Sequence, residues 1–429
     1  MDSIIRGIIQ KLTDEVDKST SGIKDKKVRQ LFDNCFYNTL QTTVQLCDDQ
    51  SFVITGDIPA MWLRDSSAQI KHYIPYSKNI VELQELIERV IKRQIDYIIH
   101  DSYANAFNHS PNGKGHDDIT KKSPLVWERK YEIDSLCYPI WIAYQYHETT
   151  GRKDLFTEKF HQALSVIITT FKTEQNHEDN SEYTFQRLNG PLSDTLINEG
   201  RGAPVAYTGM TWSGFRPSDD ACQYGYLIPA NMMAAVVLGR MEEILRTHYS
   251  DQILADEAST LRQQITEGIN KYGIVEHPLY GRIYAYETDG LGNYNLMDDA
   301  NVPSLLSIPY LGYAECDDPI YCNTRRFVLS KHNPYFYEGK CAKGIGSPHT
   351  AEGYIWHIGL IMQGLTSVDD TERKVILKTL IDTDADTGFM HEGFDANDPA
   401  RFTRSWFAWA NSLFSELVLD MLHLHTDEL

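Results

Sequence analysis

The sequence has few cysteines, and they form no recognisable pattern. Its 429 residues contain seven, with no C-x-x-C pair, at Cys35, Cys47, Cys137, Cys222, Cys316, Cys322 and Cys341. An odd, scattered set suits free thiols in a reducing compartment better than a disulfide framework or a zinc site. The N-terminal segment is too charged for a secretory signal, and no apolar run is long enough to span a membrane. We therefore expect a cytoplasmic protein with no membrane partner.

Cations are also scarce relative to anions. Lys and Arg number 40 against 60 Asp and Glu, which gives a formal net charge of −20. The electrostatic field of this negative charge repels phosphate groups. We therefore expect no nucleic-acid partner, and neutral ligands are favoured. The hydrophobic content of 42% and charged content of 23% are ordinary for a folded globular chain.

Nucleotide and metal motifs are absent as well. The chain contains no G-x-G-x-x-G, no P-loop, no G-x-S-x-G and no H-E-x-x-H. We therefore expect neither a cofactor nor a metal.

Helical patterns dominate what is present, and they are of two kinds. Amphipathic segments carry a charged face, at 79–100, 153–172 and 368–381. Others are apolar nearly all round, at 134–147 and in the runs that start at Ile228, Tyr354 and Ser405. Because the two kinds alternate, we predict a closed double layer of buried and surface helices.

No Pro- or Ser-rich linker interrupts this alternation. We therefore predict a single domain over 1–429, with a helix at about 1–25 as an extension. Aromatic and β-branched residues near Pro and Gly at 274–287 predict a small β insertion in a loop.

Polar clusters precede several of these helical runs. They are Trp62–Asp65, Glu128–Asp134, Ser218–Asp220, Asp298-Asp299, His349-Thr350 and His391-Glu392. If inner and outer helices alternate in direction, every inner helix begins at the same end of the double layer. The clusters are therefore predicted to meet there.

Two of these clusters offer carboxyl groups for acid–base chemistry. We interpret Asp219 and Asp220 as lying at the start of a buried helix. The simpler role for them is to cap that helix, and the more specific role is that of a catalytic acid whose pKa is raised by burial. Glu392 lies in a glycine-flanked loop beside a tryptophan-rich helix, where it is a candidate base or a member of a salt bridge.

Aromatic residues indicate the substrate. Trp62, Trp127, Trp212, Trp406 and Trp409 lie in or beside the polar clusters, whereas Trp141 and Trp356 are assigned to core packing. Aromatic faces mixed with carboxylates and Arg suit a sugar. Paired carboxyl groups with no cofactor motif point to glycoside hydrolysis, in which one acid protonates the leaving oxygen and a carboxylate activates water or attacks C1.

Five ordered segments then carry a family resemblance. TGDIPAMWLRDSSAQ, VWERKYEIDSLCYP, GFRPSDDACQYGYLIPANM, GIGSPHTAEGYIWH and HEGFDANDPARFTRSWFAWANS resemble glycoside hydrolase family 125, exo-acting α-1,6-mannosidases of bacteria with fungal relatives. The likeness runs from about Asp33 to the C-terminal helix. It implies an all-α (α/α)6 barrel of alternating inner and outer helices with minor β insertions, inversion of configuration, and no metal requirement.

The resemblance also implies roles for particular residues. The general acid is Asp219, with Asp220 as the alternative register, and the general base is Glu392. The predicted substrate-binding residues are Asp57, Trp62, Arg64, Asp65, His349, Arg404 and Trp406. Glu128 and Asp134 are expected to support these side chains and not to touch the sugar.

The implied substrate is a mannose-containing oligosaccharide, such as one derived from an N-glycan, cleaved at its non-reducing end. Three alternatives stay open: another α/α-barrel glycosidase of the glucoamylase or trehalase type, a sugar 2-epimerase that uses His349 and His391, and an inactive sugar-binding protein. Neither the oligomeric state nor the preferred chain length follows from the sequence.

Overall fold

A computed structural model describes residues 2–424, so both ends of the predicted 1–429 domain lie outside the described residues. The chain folds mainly into α-helices. They are α1 Ser3–Ser19, α2 Lys26–Asn38, α3 Leu63–Lys71, α4 Ile74–Ser77, α5 Val81–His100, α6 Ile133–Thr150, α7 Glu158–Gln175, α8 His177–Asn180, α9 Ile197–Gly200, α10 Ile228–Ile244, α11 Gln252–Tyr272, α12 Ile308–Leu311, α13 Pro319–Val328, α14 His357–Leu365, α15 Asp370–Asp382 and α16 Ala408–Leu424.

Six of these helices form an inner layer and six an outer layer. The inner helices α3, α6, α10, α14 and α16 are buried on nearly every side, and the short inner helix α12 buries Ile308 and Leu311. They pack as neighbours, α16 against α3, α3 against α6 and α6 against α10. The outer helices α2, α5, α7, α11, α13 and α15 each bury one stripe and expose the other. This confirms the predicted (α/α)6 barrel.

Short strands connect the helices. They are β1 Val44–Cys47, β2 Gln50–Val53, β3 Met61–Trp62, β4 Ala106–Phe107, β5 Val126–Glu128, β6 Tyr226–Leu227, β7 Ile274–His277, β8 Gly281–Tyr284, β9 Glu287–Thr288, β10 Tyr294–Asn295, β11 Phe336–Glu338, β12 Lys343–Ile345, β13 Tyr354–Trp356, β14 Gly393–Asp395 and β15 Asp398–Phe402. The antiparallel hairpin of β7 and β8 confirms the insertion predicted at 274–287.

Three small sheets lie at the end of the barrel where the inner helices begin. Their strand orders are β3-β4-β5, β10-β9-β6 and β13-β14-β15. In each sheet one strand runs directly into an inner helix, β3 into α3, β6 into α10 and β13 into α14. The sheets therefore hold the loops between their strands over the mouth of the barrel.

Several placements differ from the sequence prediction. The helix expected in the run from Ser405 begins at Ala408. The helix expected from Tyr354 begins at His357, because Tyr354–Trp356 pairs with Gly393–Asp395 as a strand. The placement of Asp219 and Asp220 at a helix start is wrong. They lie in an irregular loop well before α10, and the left-handed backbone of Asp219, with φ of 68°, does not fit a helix.

The N-terminal helix α1 packs against the outer helix α5. Its apolar residues Ile5, Ile8, Leu12 and Val16 recur at helical spacing and are all buried. Over residues 2–424, none of the helices has both the length and the apolar character needed to cross a bilayer.

Candidate active site

A cavity of about 180 Å³ opens at the end of the barrel where the inner helices begin, and we call it the site cavity. Its lining residues come from segments spread along the whole chain. They are Thr55, Ile58, Trp62, Arg64, Asp65, Pro217, Ser218, Asp219, Asn301, His349, Trp356, Glu392, Arg404, Phe407 and Trp409.

Most of the residues singled out in the sequence meet at this cavity. Those that line it are Trp62, Arg64, Asp65, Asp219, His349, Glu392 and Arg404. Asp57 lies at the rim, where its carboxylate accepts a hydrogen bond from Arg404 Nε at 3.0 Å. The Trp406 carbonyl accepts the Asp57 N–H at 3.4 Å, but the Trp406 ring does not line the cavity.

Arg64 forms the charged floor of the cavity and is only 3% exposed. Its Nη1 donates to Glu132 Oε2 at 2.7 Å and to Asp134 Oδ2 at 3.1 Å. The same guanidinium lies 3.5 Å from Asp65 Oδ2 and 3.6 Å from Asp219 Oδ1. Because α3 begins at Leu63, this group stands at the start of the first inner helix. The sequence analysis expected Asp134 to support the substrate-binding side chains, and its contact with Arg64 agrees with that. It did not single out Glu132, although this residue lies in the segment VWERKYEIDSLCYP.

Asp219 and Asp220 face different surroundings. The Asp219 side chain is 28% exposed and faces the site cavity, and Asn105 Nδ2 donates to its Oδ1 at 3.3 Å. Lys130 Nζ donates to the Asp219 carbonyl at 2.6 Å, which fixes the left-handed turn. The Asp220 side chain is 2% exposed and turns away from the cavity.

Glu128 supports this side of the site without reaching the cavity. Its carboxylate accepts from Arg187 Nη2 at 2.7 Å and from Asn105 Nδ2 at 3.0 Å. Burial opposes its charge, but Lys130 and Arg187 outweigh burial and lower the pKa of Glu128 to about 2. Glu128 is therefore an ionised structural carboxylate that orients Asn105 toward Asp219.

Glu392 immediately precedes β14, so the pairing of Gly393 with Trp356 fixes its position. The side chain is nearly buried, and burial raises the pKa of Glu392 above its usual range. Arg404, 3.7 Å from Glu392 Oε1, opposes that shift. A carboxylate in this setting can accept a proton more readily than an exposed one.

His349 brings a third cation to the cavity, beside Arg64 and Arg404. Its Nδ1 lies 3.2 Å from Asp220 Oδ1. Burial disfavours the charged imidazole, but the hydrogen bond and charge of Asp220 outweigh burial and raise the pKa of His349 to about 9. Below that pH the site cavity therefore carries a histidinium as well as two arginines.

Besides Trp406, two more tryptophans are placed differently from expectation. Trp212, assigned to a polar cluster, is buried and stacks on His177 with ring centroids 3.7 Å apart, away from the cavity. Trp356, assigned to the core, is buried but also lines the cavity, and its Nε1 donates to Thr350 Oγ1 at 2.8 Å. Asn301 is a lining residue that the sequence reasoning missed, although the noted pair Asp298-Asp299 lies next to it.

The histidines considered for epimerase chemistry do not meet. His391 is buried, stacks on Phe402 at 3.8 Å and lies outside the cavity lining. His357 is buried and hydrogen-bonded to Thr383, as expected for a core histidine. Within residues 2–424, His, Cys, Asp and Glu side chains form no group of three that could hold a metal ion.

Comparison with known proteins gives concordant matches. The family model for metal-independent alpha-mannosidases (GH125) matches residues 25–419. The Meiotically up-regulated gene 157 protein of Schizosaccharomyces pombe is 41% identical over 424 residues, covering 93% of this chain and 83% of that protein.

Among solved structures, a Streptococcus pneumoniae protein is 46% identical with a TM-score of 0.94, covering 98% of this chain and 99% of its own. It belongs to a family of metal-independent alpha mannosidases tied to the processing of N-linked glycans, and was solved in a non-productive complex with α-1,6-mannobiose. A bacterial glucoamylase complexed with acarbose has a TM-score of 0.62 at 11% identity, covering 92% of this chain and 55% of its own, which shows a shared fold alone.

Proposed function

Because this chain belongs to glycoside hydrolase family 125, the metal-independent α-mannosidases, we propose that it is an inverting exo-α-1,6-mannosidase. Its proposed substrates are α-mannosides with a terminal mannose at the non-reducing end, such as oligosaccharides derived from N-glycans. The assignment to the family rests on the match over residues 25–419. The linkage, the exo action and the stereochemistry are the proposal.

One observation carries the proposed mechanism: Asp219 and Glu392 both line the same small cavity. Asp219 acts as the general acid and protonates the glycosidic oxygen. Glu392 acts as the general base and takes a proton from the water that attacks C1. Its near burial raises its pKa, which favours acceptance of that proton, and Arg404 opposes the shift.

The remaining lining residues supply the sugar contacts in this proposal. Arg64, Asp65 and His349 bind hydroxyls, and Trp62 packs against the C–H face of the ring. Arg404, held by Asp57 at the rim, sits where it contacts the sugar and the base together. The complex of the pneumococcal relative with α-1,6-mannobiose supports the choice of linkage, and the small volume of the cavity supports exo action.

The test is proton NMR of α-1,6-mannobiose with the wild-type protein, following the anomeric signals from the first minutes. We expect β-mannose to appear before mutarotation. If α-mannose appears first, the reaction retains configuration and the assignment of Glu392 as base is wrong. If α-1,6-mannobiose is not cleaved while another mannobiose is, the linkage is wrong.

A further inference from the structure

Arg64 is shared by more carboxyl groups than one guanidinium can balance. Arg64 contacts Asp65, Glu132, Asp134 and Asp219, so one guanidinium faces four carboxyls. The side chains of Glu132 and Asp134 have no exposed surface. Burying several unbalanced negative charges costs several kcal/mol for each charge. Arg404 is also close to Asp65, and Lys130 and His349 are close to Asp219. Arg64 is therefore left to balance Glu132 and Asp134, and a proton on one of these two removes the excess negative charge.

Glu132 and Asp134 each have one buried carboxyl oxygen without a partner among the described residues, and Glu132 is the one that lies within hydrogen-bonding range of Asp219. Its Oε2 accepts from Arg64 Nη1 at 2.7 Å and from Ser135 Oγ at 2.9 Å. Its Oε1 is buried, and among the described residues it receives no hydrogen bond from a donor. A bare carboxylate oxygen in that position would be unsatisfied, whereas a protonated oxygen can donate.

The neighbouring acceptor is the Asp219 carboxyl, which lies within hydrogen-bonding range of Glu132 and shares the Arg64 guanidinium with it. The other ionisable groups that face Glu132 are Arg64 from α3, Asp134 from α6 and Cys222 from the loop after Asp219. Burial and the negative neighbours raise the pKa of Glu132 well above its usual range against the opposing pull of Arg64.

We propose that Glu132 is a buried carboxylic acid at neutral pH, and that its O–H donates a hydrogen bond to Asp219. It is a positioning residue that acts through Asp219 and does not touch the sugar. This inference rests on the proposed role of Asp219 as the general acid.

The consequence for the reaction lies in the step that ionises Asp219. The Asp219 proton passes to the glycosidic oxygen as the C1–O bond breaks, and Asp219 is left as a carboxylate. Glu132 keeps its own proton and donates to that carboxylate, so charge that develops on Asp219 meets a hydrogen-bond donor already in place.

Substitution of Glu132 by Gln separates this role from that of an ionised carboxylate. The amide nitrogen donates where the carboxylic O–H does, and the amide oxygen accepts from Arg64 and Ser135. We expect E132Q to keep kcat within a few-fold of wild type, with the basic limb of its pH–rate profile unmoved. If Glu132 were ionised, its removal would ease loss of the Asp219 proton and shift that limb to lower pH, which would overturn the proposal.

A Leu substitution removes the donor at similar size. We expect E132L to lose kcat roughly tenfold to a hundredfold, the effect of one hydrogen bond to a charged group; wild-type kcat in E132L would overturn the proposal. Glu174→Gln is the matched control, because Glu174 is also fully buried and hydrogen-bonded, to Tyr103 and Ser181, but does not line the site cavity. Its pH–rate profile is expected to match wild type.

Difference infrared spectroscopy reads the proton directly and needs no substrate. At pH 7 the wild-type minus E132Q difference spectrum is expected to show the carbonyl stretch of one protonated carboxylic acid, because protonated carboxyls common to both proteins, such as Asp219 and Asp298, cancel. If that band is missing from the difference spectrum while α-1,6-mannobiose is cleaved, this inference is overturned and the proposed function stands. If the band is present and no mannoside is cleaved, the proposed function is overturned and the proton on Glu132 stands.

Discussion

Replacement of Arg64 by Met is predicted to destabilise the protein more as pH rises. The substitution keeps most of the side-chain volume but removes the cation that contacts four carboxyl groups. Loss of one partner from a buried ion pair costs about 3–5 kcal/mol. With an unfolding entropy of about 0.9 kcal/mol per kelvin for a chain of this length, Tm is expected to fall by about 3–6 °C near neutral pH.

The pH dependence follows from the carboxyls left behind. Burial already raises the pKa of Asp65 and of Asp134, and Arg64 holds both shifts down. Without Arg64 the pKa of each rises further. A carboxyl whose folded pKa exceeds its unfolded pKa destabilises the fold above the unfolded value, and the penalty grows until the folded pKa is reached. The Tm deficit should therefore be small near pH 4 and larger at pH 8.

The assay is thermal unfolding from pH 4 to pH 8 for wild type, Arg64→Met and Arg246→Met. Arg246 is the control because its ion pairs with Glu242 and Asp256 are at the surface, where such pairs contribute about 0–1 kcal/mol. A deficit for Arg64→Met that does not change with pH would refute the reasoning. Unchanged kcat and KM in Arg64→Ala would separately refute its proposed contact with the sugar.

Three further predictions concern the reaction. Asp219→Asn and Glu392→Gln should each lower kcat by about 10²- to 10⁴-fold, measured on α-1,6-mannobiose, and activity within a few-fold of wild type would reject the assigned roles. Because a base must be ionised and burial raises the pKa of Glu392, kcat/KM should decline below a pH higher than the 4.5 of an ordinary Glu. Arg404→Met should move that acid limb to still higher pH, and a shift to lower pH would contradict the arrangement. Asp220→Asn should lower the pKa of His349 from about 9, measured by NMR titration of its ring protons. An unchanged titration would show that Asp220 does not stabilise the protonated imidazole of His349.

Much of the architecture could be predicted because it depends on local periodicity. The alternation of amphipathic helices such as α5 with apolar ones such as α10 follows from the types of residue found three and four positions apart. That spacing decides which face is buried whatever the chain does elsewhere. The polar start of α3 could also be predicted, since Arg64 and Asp65 lie in the first turn of this buried inner helix.

Other local readings failed because a partner distant in sequence decided the outcome. The local pattern at Tyr354–Trp356 predicts a helix, but pairing with Gly393–Asp395 makes this segment a strand. Trp212 stacks on His177, a contact that no spacing within its own segment indicates.

The sequence by itself therefore determined the barrel, the family and the set of polar clusters that meet at its mouth. Only the tertiary structure decided which carboxyl of Asp219 and Asp220 faces the site cavity, because a left-handed turn held by Lys130 sets their directions. It also decided that Glu132 lies against Arg64 and Asp219. Protonation there depends on burial and on neighbouring charges, and both are properties of residues brought together across the chain.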